Sequence, residues 1–314
     1  MTRKTGTGLL DRRRSRRKIS SRNTTSRSTK FLGIVAVAPV VILCFALLAV
    51  PLGRSIRDGF FDLQPALGRD EFIGFRGYVD LLMDELFLKV VANSVIWTAS
   101  VVALQFAVGL FGAIVLERRF RGRWLARTIV IIPWAIPGVV AAMVWRLIYN
   151  PQLGFVQILT NPFGLEAPDV LGTPGYSLWG VVFAAVWKGS PFWMLICLAA
   201  LQAVPMDQVE AARLDGAGAI RVFWHVKLPV MAPVLRIGAI LTAIWTFNYF
   251  EMVYVMTRGG PLDSSHIFPT VIYEQAFRAL DLGGAARLAG ASIVILALLA
   301  YFFIREIRNS EDLK

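Results

Sequence analysis

Long apolar runs separated by short polar segments dominate the pattern of this chain from residue 31 onward. A helix of about 20 apolar residues is long enough to cross the ~30 Å hydrocarbon core of a bilayer. The strands of a membrane barrel would instead give short segments of alternating polarity. The pattern therefore predicts an all-α polytopic membrane protein with six transmembrane helices, over residues 31–53, 90–116, 128–148, 177–203, 234–257 and 288–304.

Prolines fall inside two of the predicted spans. Pro133 and Pro137 lie in the third span, and Pro191 lies in the fourth. Membrane helices tolerate proline because neighbouring groups satisfy the backbone atoms that it frees. We therefore expect kinks at these positions and no loss of the spans.

Composition agrees with a membrane location and reveals a basic arm. The chain is 56% apolar and 17% charged, whereas a soluble domain has about 25% charged residues. Residues 1–30 hold eleven Lys and Arg residues and one acid, Asp11. Such an arm can bind nucleic acid or flank a membrane span on the cytoplasmic side. The charge-free run over 31–53 favours the second interpretation and argues against a nucleic-acid partner.

The charges of the loops predict the orientation. The loop between the second and third spans is basic, and the loop over residues 149–176 has no Lys or Arg. By the positive-inside rule the first of these loops is cytoplasmic and the second is external. Both termini are then cytoplasmic. The predicted organisation is a basic arm, a first span with its outer loop, a transmembrane core and a cytoplasmic tail, over residues 1–30, 31–89, 90–304 and 305–314.

The predicted cytoplasmic loop over residues 205–229 has the pattern of a helix, a glycine turn and a second short helix. Pro205 and Asp207 suit the first turn of a helix. Gly216 and Gly218 allow the chain to break sharply. One interpretation is a docking element for a partner protein, and the other is a surface loop that packs beneath the bundle.

This loop resembles the EAA motif of bacterial ABC-importer permeases. Glu210-Ala211-Ala212 is followed after three residues by Gly216, and after nine more by Val226-Lys227-Leu228-Pro229. Val226 replaces the isoleucine of the motif. The resemblance extends over residues 90–304 and also includes the runs 187–192, 247–251 and 257–261. Within the family it points to the carbohydrate-uptake branch and to the first permease of maltose-type systems.

The resemblance implies a bacterial cytoplasmic-membrane permease that works with partners. These are a second permease subunit, two cytoplasmic ATPase subunits that bind ATP and Mg, an extracytoplasmic solute-binding protein and the lipid bilayer. It implies that the loop forms coupling helices that sit in a cleft of the ATPase. The residues expected to couple to the ATPase are Glu210, Ala211, Ala212, Arg213, Asp215, Gly216, Ala217, Gly218, Arg221, Leu228 and Pro229.

A candidate sugar site lies in the two spans that flank this loop. Sugars are recognised by hydrogen bonds to their hydroxyl groups and by stacking on aromatic rings. Aromatic rings at such positions are also common anchors at the membrane surface. The candidate substrate-binding residues are Trp187, Lys188, Gly189, Phe192, Thr242, Trp245, Thr246, Asn248, Tyr249 and Glu251.

Lys188 and Glu251 are charged residues inside predicted spans. A charge at the centre of a membrane helix is costly, so it usually faces a cavity or a partner. Lys188 falls near mid-membrane, which favours a cavity. For Glu251, structural pairing and substrate contact are equally open.

The sequence contains no pattern of an enzyme or of a metal site. There is no Walker-type phosphate loop and no nucleophile and base pair, and His225 and His266 have no cluster of cysteines or carboxylates at ligand spacing. We therefore expect no cofactor in this chain. Three alternatives stay open: a permease for an anionic sugar derivative or a glycerophosphodiester, a stand-alone ion-coupled carrier, and a membrane enzyme acting on lipid.

Overall fold

The computed structural model describes residues 25–118 and 120–311. The first 24 residues of the predicted basic arm, Arg119 and the last three residues of the tail lie outside the described residues. The chain divides into two units, one that ends at Gly53 and one that begins at Arg54.

The described residues of the N-terminal unit are helical. Helix α1 spans Thr25–Cys44, a π-helical segment spans Phe45–Ala49, and α2 spans Val50–Asp58. The stretch Val35–Asp58 is 24 residues long and apolar enough to cross a membrane. The predicted first span at 31–53 therefore lies within helix, which runs beyond the prediction at both ends.

The second unit opens with the last residues of α2, which are followed by a short hairpin and a short helix. Strands β1 (Phe61–Gln64) and β2 (Arg69–Phe72) pair antiparallel, and α3 spans Arg76–Met83. Gly68 between the strands has a φ of 66°, a conformation that glycine adopts without strain. The sequence pattern predicted only an outer loop in this region.

Helices α4 (Glu85–Glu117) and α8 (Ser177–Gln202) pack against each other along their length and form the centre of the bundle. Gly109 of α4 permits their close approach. A Cβ atom at this position would lie 2.5 Å from the Cβ of Trp193 and 2.8 Å from the backbone nitrogen of Met194. Small residues allow membrane helices to approach in this way.

The third predicted span is two helices and not one kinked helix. Helix α5 (Arg123–Ala135) and helix α6 (Gly138–Ile148) meet at a bend of 94°. The break falls at Pro137, which fixes φ and has no N–H group to donate. Pro133 lies inside α5 and does not interrupt it. After α6 come α7 (Phe155–Thr160) and a 3₁₀ turn.

The fifth predicted span also differs from the structure. Helices α9 (Met206–Leu214) and α10 (Ala219–Val222) precede a π-helical segment, Phe223–Lys227, and α11 (Leu228–Phe247). Residues Ala219–Phe247 form one helix of 29 residues, so the second loop helix does not stop at Pro229. The span then breaks at Asn248 and resumes as α12 (Phe250–Thr257).

The remaining helices complete the bundle. Helix α13 (Phe268–Tyr273) is followed by a π-helical segment, Glu274–Ala279, and by α14 (Leu282–Glu311). Among the described residues, five helices are long and apolar enough to cross a membrane, and the α5–α6 pair brings the number to six. The predicted all-α membrane fold is confirmed.

The loop between α12 and α13 is tied to α4 by hydrogen bonds. The Asn93 amide donates to the carbonyl oxygens of Asp263 and His266, at 3.3 and 3.1 Å, and the Lys89 ammonium donates to the Leu262 carbonyl. His266 is 6% exposed, and its Nδ1 lies 3.0 Å from the Thr270 hydroxyl. This end of the bundle therefore has an ordered polar network.

We expect His266 to make stability depend on pH. Burial lowers the pKa of His266 below its ordinary value of 6.5, and the carboxylate of Asp263, 3.5 Å from Nε2, only partly opposes this. The unfolded chain then binds a proton more readily, so stability declines as pH falls from 6.5 towards the folded pKa. Melting temperatures between about pH 5 and 7.5 should show this slope, and His266→Gln should flatten it. His225→Gln, at an exposed site, should retain it.

Candidate functional site

A cavity of about 180 Å³ lies among α4, α5, α8 and α11. Seven of the ten predicted substrate-binding residues line it: Lys188, Gly189, Phe192, Thr242, Trp245, Thr246 and Tyr249. Gln105, Trp134 and Ala185 complete the lining. The structure thus brings most of the candidate residues of both spans to one site.

Aromatic rings form one side of this cavity. The rings of Trp134 and Phe192 stack with their centroids 6.2 Å apart, and Phe192 lies 5.5 Å from Trp245. The Trp245 side chain is 53% exposed, so its face is accessible. Such a surface can stack against the C–H face of a sugar ring.

Polar groups lie beside these rings. The Thr242 hydroxyl is buried and has no hydrogen-bond partner among the described residues. A buried hydroxyl without a partner is costly, and a ligand hydroxyl could satisfy it. Thr246 is also buried, and its backbone carbonyl accepts a hydrogen bond of 2.8 Å from the Trp97 indole, which fixes α11 against α4.

Gln105 crosses from α4 to α8 at Gly189. Its amide nitrogen donates to the Ala185 carbonyl at 2.9 Å, and the side chain is buried. A Cβ atom at position 189 would lie 2.0 Å from that nitrogen, so the absence of a side chain makes room for the glutamine amide. Gly189 therefore has a steric role in the wall of the cavity.

Lys188 lies where the cavity meets the break in the third span. Its ammonium donates to the Trp134 carbonyl at 3.3 Å. Among the described residues that line the cavity, Lys188 is the one with a charged side chain.

The other three candidate residues lie outside the lining. Trp187 packs on Trp145, with ring centroids 5.6 Å apart. The Asn248 amide donates to the Ile244 carbonyl at 3.0 Å and closes the end of α11. Glu251 lies against Gly138 at the start of α6. The structure gives these three residues packing or capping contacts and no place at the cavity.

The sequence prediction also missed three lining residues, Gln105, Trp134 and Ala185. Gln105 could have been found, because an amide in the middle of the uncharged 90–116 span needs a partner in the membrane. Trp134 and Ala185 gave no such signal, since their placement depends on the 94° bend and on the packing of α8.

The loop between α8 and α11 is a helix, a tight turn and a helix, as expected. Helix α9 ends in a Schellman motif, in which the Ala217 N–H donates to the Ala212 carbonyl at 2.9 Å and the Gly216 N–H donates to the Arg213 carbonyl at 3.0 Å. Gly216 has a φ of 82°. Gly218 has a φ of −68°, which any residue can adopt. The conformation of the turn therefore requires glycine at position 216 and not at position 218.

The two faces of this loop differ in exposure. Val209 and Val222 are buried against the bundle, and Ala212 and Ala217 are half-buried beside them. The other face is exposed and includes two large apolar side chains, Leu214 at 89% and Ile220 at 78%. The exposed candidate coupling residues are Glu210, Ala211, Arg213, Asp215, Gly216, Gly218, Arg221 and Pro229, whereas Leu228 is half-buried.

An ion pair joins this loop to the end of α4. The Lys227 ammonium lies 2.8 and 3.0 Å from the two carboxylate oxygens of Glu117, and both side chains are partly buried. The loop is thus anchored on its inner face while its outer face stays accessible.

The fold is thus that of a polytopic membrane protein with an exposed helical loop. The sequence profile of the family described as "Binding-protein-dependent transport system inner membrane component" matches residues 105–310. The chain belongs to this family, and the match includes both the cavity and the loop.

Two relatives and one solved structure resemble the chain over most of its length. The trehalose/maltose transport system permease protein MalF of Thermococcus litoralis is 32% identical, over 87% of this chain and 91% of that protein. The sulfoquinovosyl glycerol transport system permease protein SmoG of Agrobacterium fabrum is 30% identical, over 90% and 92%. A bacterial ABC transporter that imports the acidic polysaccharide alginate shares the fold, with a TM-score of 0.75, 19% identity and coverage of 90% and 98%.

Proposed function

We propose that this chain is the permease subunit of an ABC importer for a carbohydrate or a related polyol. The observation that carries the substrate class is the cavity, where the accessible face of Trp245 lies beside the unpartnered hydroxyl of Thr242. An aromatic face and a polar group without a partner are what a sugar ring can satisfy. The names of the two relatives support the same class.

The cavity is small for a complete binding site. Its volume of about 180 Å³ is below the 300–1,000 Å³ usual for ligand pockets. We infer that a second permease subunit supplies the rest of the site, and that an extracytoplasmic solute-binding protein delivers the sugar.

The loop between α8 and α11 is proposed to couple transport to two ATPase subunits. ATP and Mg bind on those subunits, and this chain supplies the exposed face with Leu214 and Ile220 as a docking surface. Apolar side chains surrounded by polar ones are typical of protein interfaces. Movement of the docked loop then passes into the helix Ala219–Phe247, whose far end carries Thr242, Trp245 and Thr246.

This assignment places the loop in the cytoplasm. The positive-inside rule then keeps both chain termini cytoplasmic, with the basic arm as the flank of the first span. ATP-driven closure of the ATPase subunits would open the bundle outward, and relaxation would release the sugar inward, as in alternating access.

An anionic sugar derivative is a second candidate substrate. The supporting observation is that Lys188 is the charged group among the described residues of the cavity wall. Its ammonium already donates to a backbone carbonyl, which leaves two of its three protons free for a ligand.

Uptake by the reconstituted transporter tests both candidates. The chain is expressed with the permease, ATPase and binding-protein subunits of neighbouring reading frames, and uptake of radiolabelled maltose, trehalose and sn-glycerol 3-phosphate is measured. We expect a neutral sugar to be taken up, and Trp245→Ala to raise its half-saturation concentration roughly tenfold through the lost stacking. Trp124→Ala, an exposed tryptophan outside the cavity, is the matched control.

Each outcome has a distinct meaning. Uptake of the phosphate ester alone, lost in Lys188→Gln, establishes the anionic alternative. Uptake of all three probes that does not change in Trp245→Ala contradicts the proposed site.

A further inference from the structure

The break between α5 and α6 leaves two helix ends within the third span. The last carbonyl groups of α5 and the first N–H groups of α6 have no partner within their own helices. Helix ends also carry partial charges, negative at the carbonyl end and positive at the N–H end. In a membrane such groups need a partner from elsewhere in the protein.

Lys188 lies at the first of these ends. Its ammonium donates to the carbonyl oxygen of Trp134, the residue before the end of α5, at 3.3 Å. A cation at the carbonyl end of a helix is favourable, and here it also satisfies a free carbonyl group.

Glu251 lies at the second end. A Cβ atom on Gly138, the first residue of α6, would be 2.9 Å from a carboxylate oxygen of Glu251 and 3.1 Å from the Tyr249 hydroxyl. Because glycine has no side chain, the carboxylate can approach the first turn of α6. The N–H end of a helix carries a partial positive charge, so an anion beside it is favourable.

The two charged side chains do not form a direct ion pair among the described residues. They interact electrostatically with each other. Their nitrogen and oxygen atoms are nevertheless not within 4.0 Å, and Glu251 accepts no hydrogen bond from any described residue. Each side chain therefore has a helix end as its near neighbour.

We propose that Lys188 and Glu251 are positioning residues at the two helix ends of the break in the third span, Lys188 through its hydrogen bond to the Trp134 carbonyl and Glu251 through its negative charge beside the first turn of α6. By capping the end of α5, Lys188 keeps Trp134 in the cavity wall, and Glu251 fixes the start of α6 on the other side of the bend. The pairing of opposite charges with opposite helix ends explains why two ionisable residues lie within membrane spans. The two positioning roles are the same whether the substrate is neutral or anionic.

Hydrogen–deuterium exchange on the full chain in lipid nanodiscs tests the proposal without a substrate. The measured segment is residues 130–145, which contains the break. Lys188→Gln and Glu251→Gln should each speed exchange in this segment roughly tenfold, because an uncapped helix end frays. Lys188→Arg, which keeps both the charge and a donor, should exchange like the original chain. Peptides of α4 and α14 serve as internal controls for general destabilisation.

The charge swap Lys188→Glu with Glu251→Lys separates helix capping from simple pairing. Capping predicts that the swapped chain exchanges faster in residues 130–145 than either single glutamine variant, because each charge then faces the wrong helix end. Simple pairing predicts that the swap restores slow exchange, and this result would overturn the proposal. Unchanged exchange in both glutamine variants, which keep similar size, would overturn it as well.

Discussion

Replacing Gly216 with arginine should abolish ATP-driven uptake and prevent the ATPase subunits from co-purifying with the chain. Gly216 has a φ of 82°, which costs an L-residue roughly 1–2 kcal/mol, and it closes the Schellman motif at the end of α9. No atom lies within 4 Å of a Cβ at this position, so an arginine projects into the open space where a partner docks. The measurements are uptake in proteoliposomes and pull-down in detergent.

Gly122→Arg provides a matched control. Gly122 has a φ of 85°, open space around a Cβ, and a position in the loop between α4 and α5. The backbone strain is therefore the same, but the loop is not the one proposed to dock. If both variants lose uptake equally, strain explains the result and the docking assignment fails.

Replacing Gly189 with alanine should reduce sugar uptake at least tenfold while the chain still inserts and assembles. The new methyl group would lie 2.0 Å from the amide nitrogen of Gln105 and 2.4 Å from its Cδ. The glutamine must then leave its buried hydrogen bond with the Ala185 carbonyl, at a cost of roughly 1–3 kcal/mol. Uptake kinetics and the amount of assembled complex are measured together.

Two further variants define the cause of this loss. Gly238→Ala is the control, because a Cβ there would meet its nearest neighbour, Trp193, at an ordinary 3.4 Å. Gln105→Ala combined with Gly189→Ala removes the clash, so the assembled amount should stay normal, and uptake should stay low because the glutamine amide is gone. Recovery of full uptake in the double variant would show that the glutamine has no part in the site.

Much of the fold was predictable because membrane spans have a strong one-dimensional signal. Runs of apolar residues identified the six spans, and the fixed spacing from Glu210 to Pro229 identified the loop. The interruption at Asn248 was not predicted, since the apolar run continues through it and only the dihedral angles of that residue reveal the end of α11. Pro133 and Pro137 are both prolines inside the apolar run and both predict a kink, yet only Pro137 lies at the break.

The candidate site was predictable in part. Residues three and four apart on α11, such as Thr242 and Trp245, share a helix face, and the structure places both at the cavity. Trp187 is an aromatic residue of the same kind in the flanking span, but it packs against Trp145. Adjacent residues of a helix point in directions about 100° apart, and in α8 it is Lys188 that faces the cavity. Trp134 comes from a distant segment, and sequence spacing contains no information about such a contact.

The unbroken helix Ala219–Phe247 has a mechanical consequence. At 1.5 Å per residue its 29 residues measure roughly 43 Å from the loop to the cavity. A rigid rod of that length acts as a lever, and a tilt of about 5° around its loop end would displace its far end by roughly 4 Å. That displacement is of the same order as the 5.5 Å between the ring centroids of Trp245 and Phe192, so a small rotation beneath the bundle is enough to change the contact between these two rings.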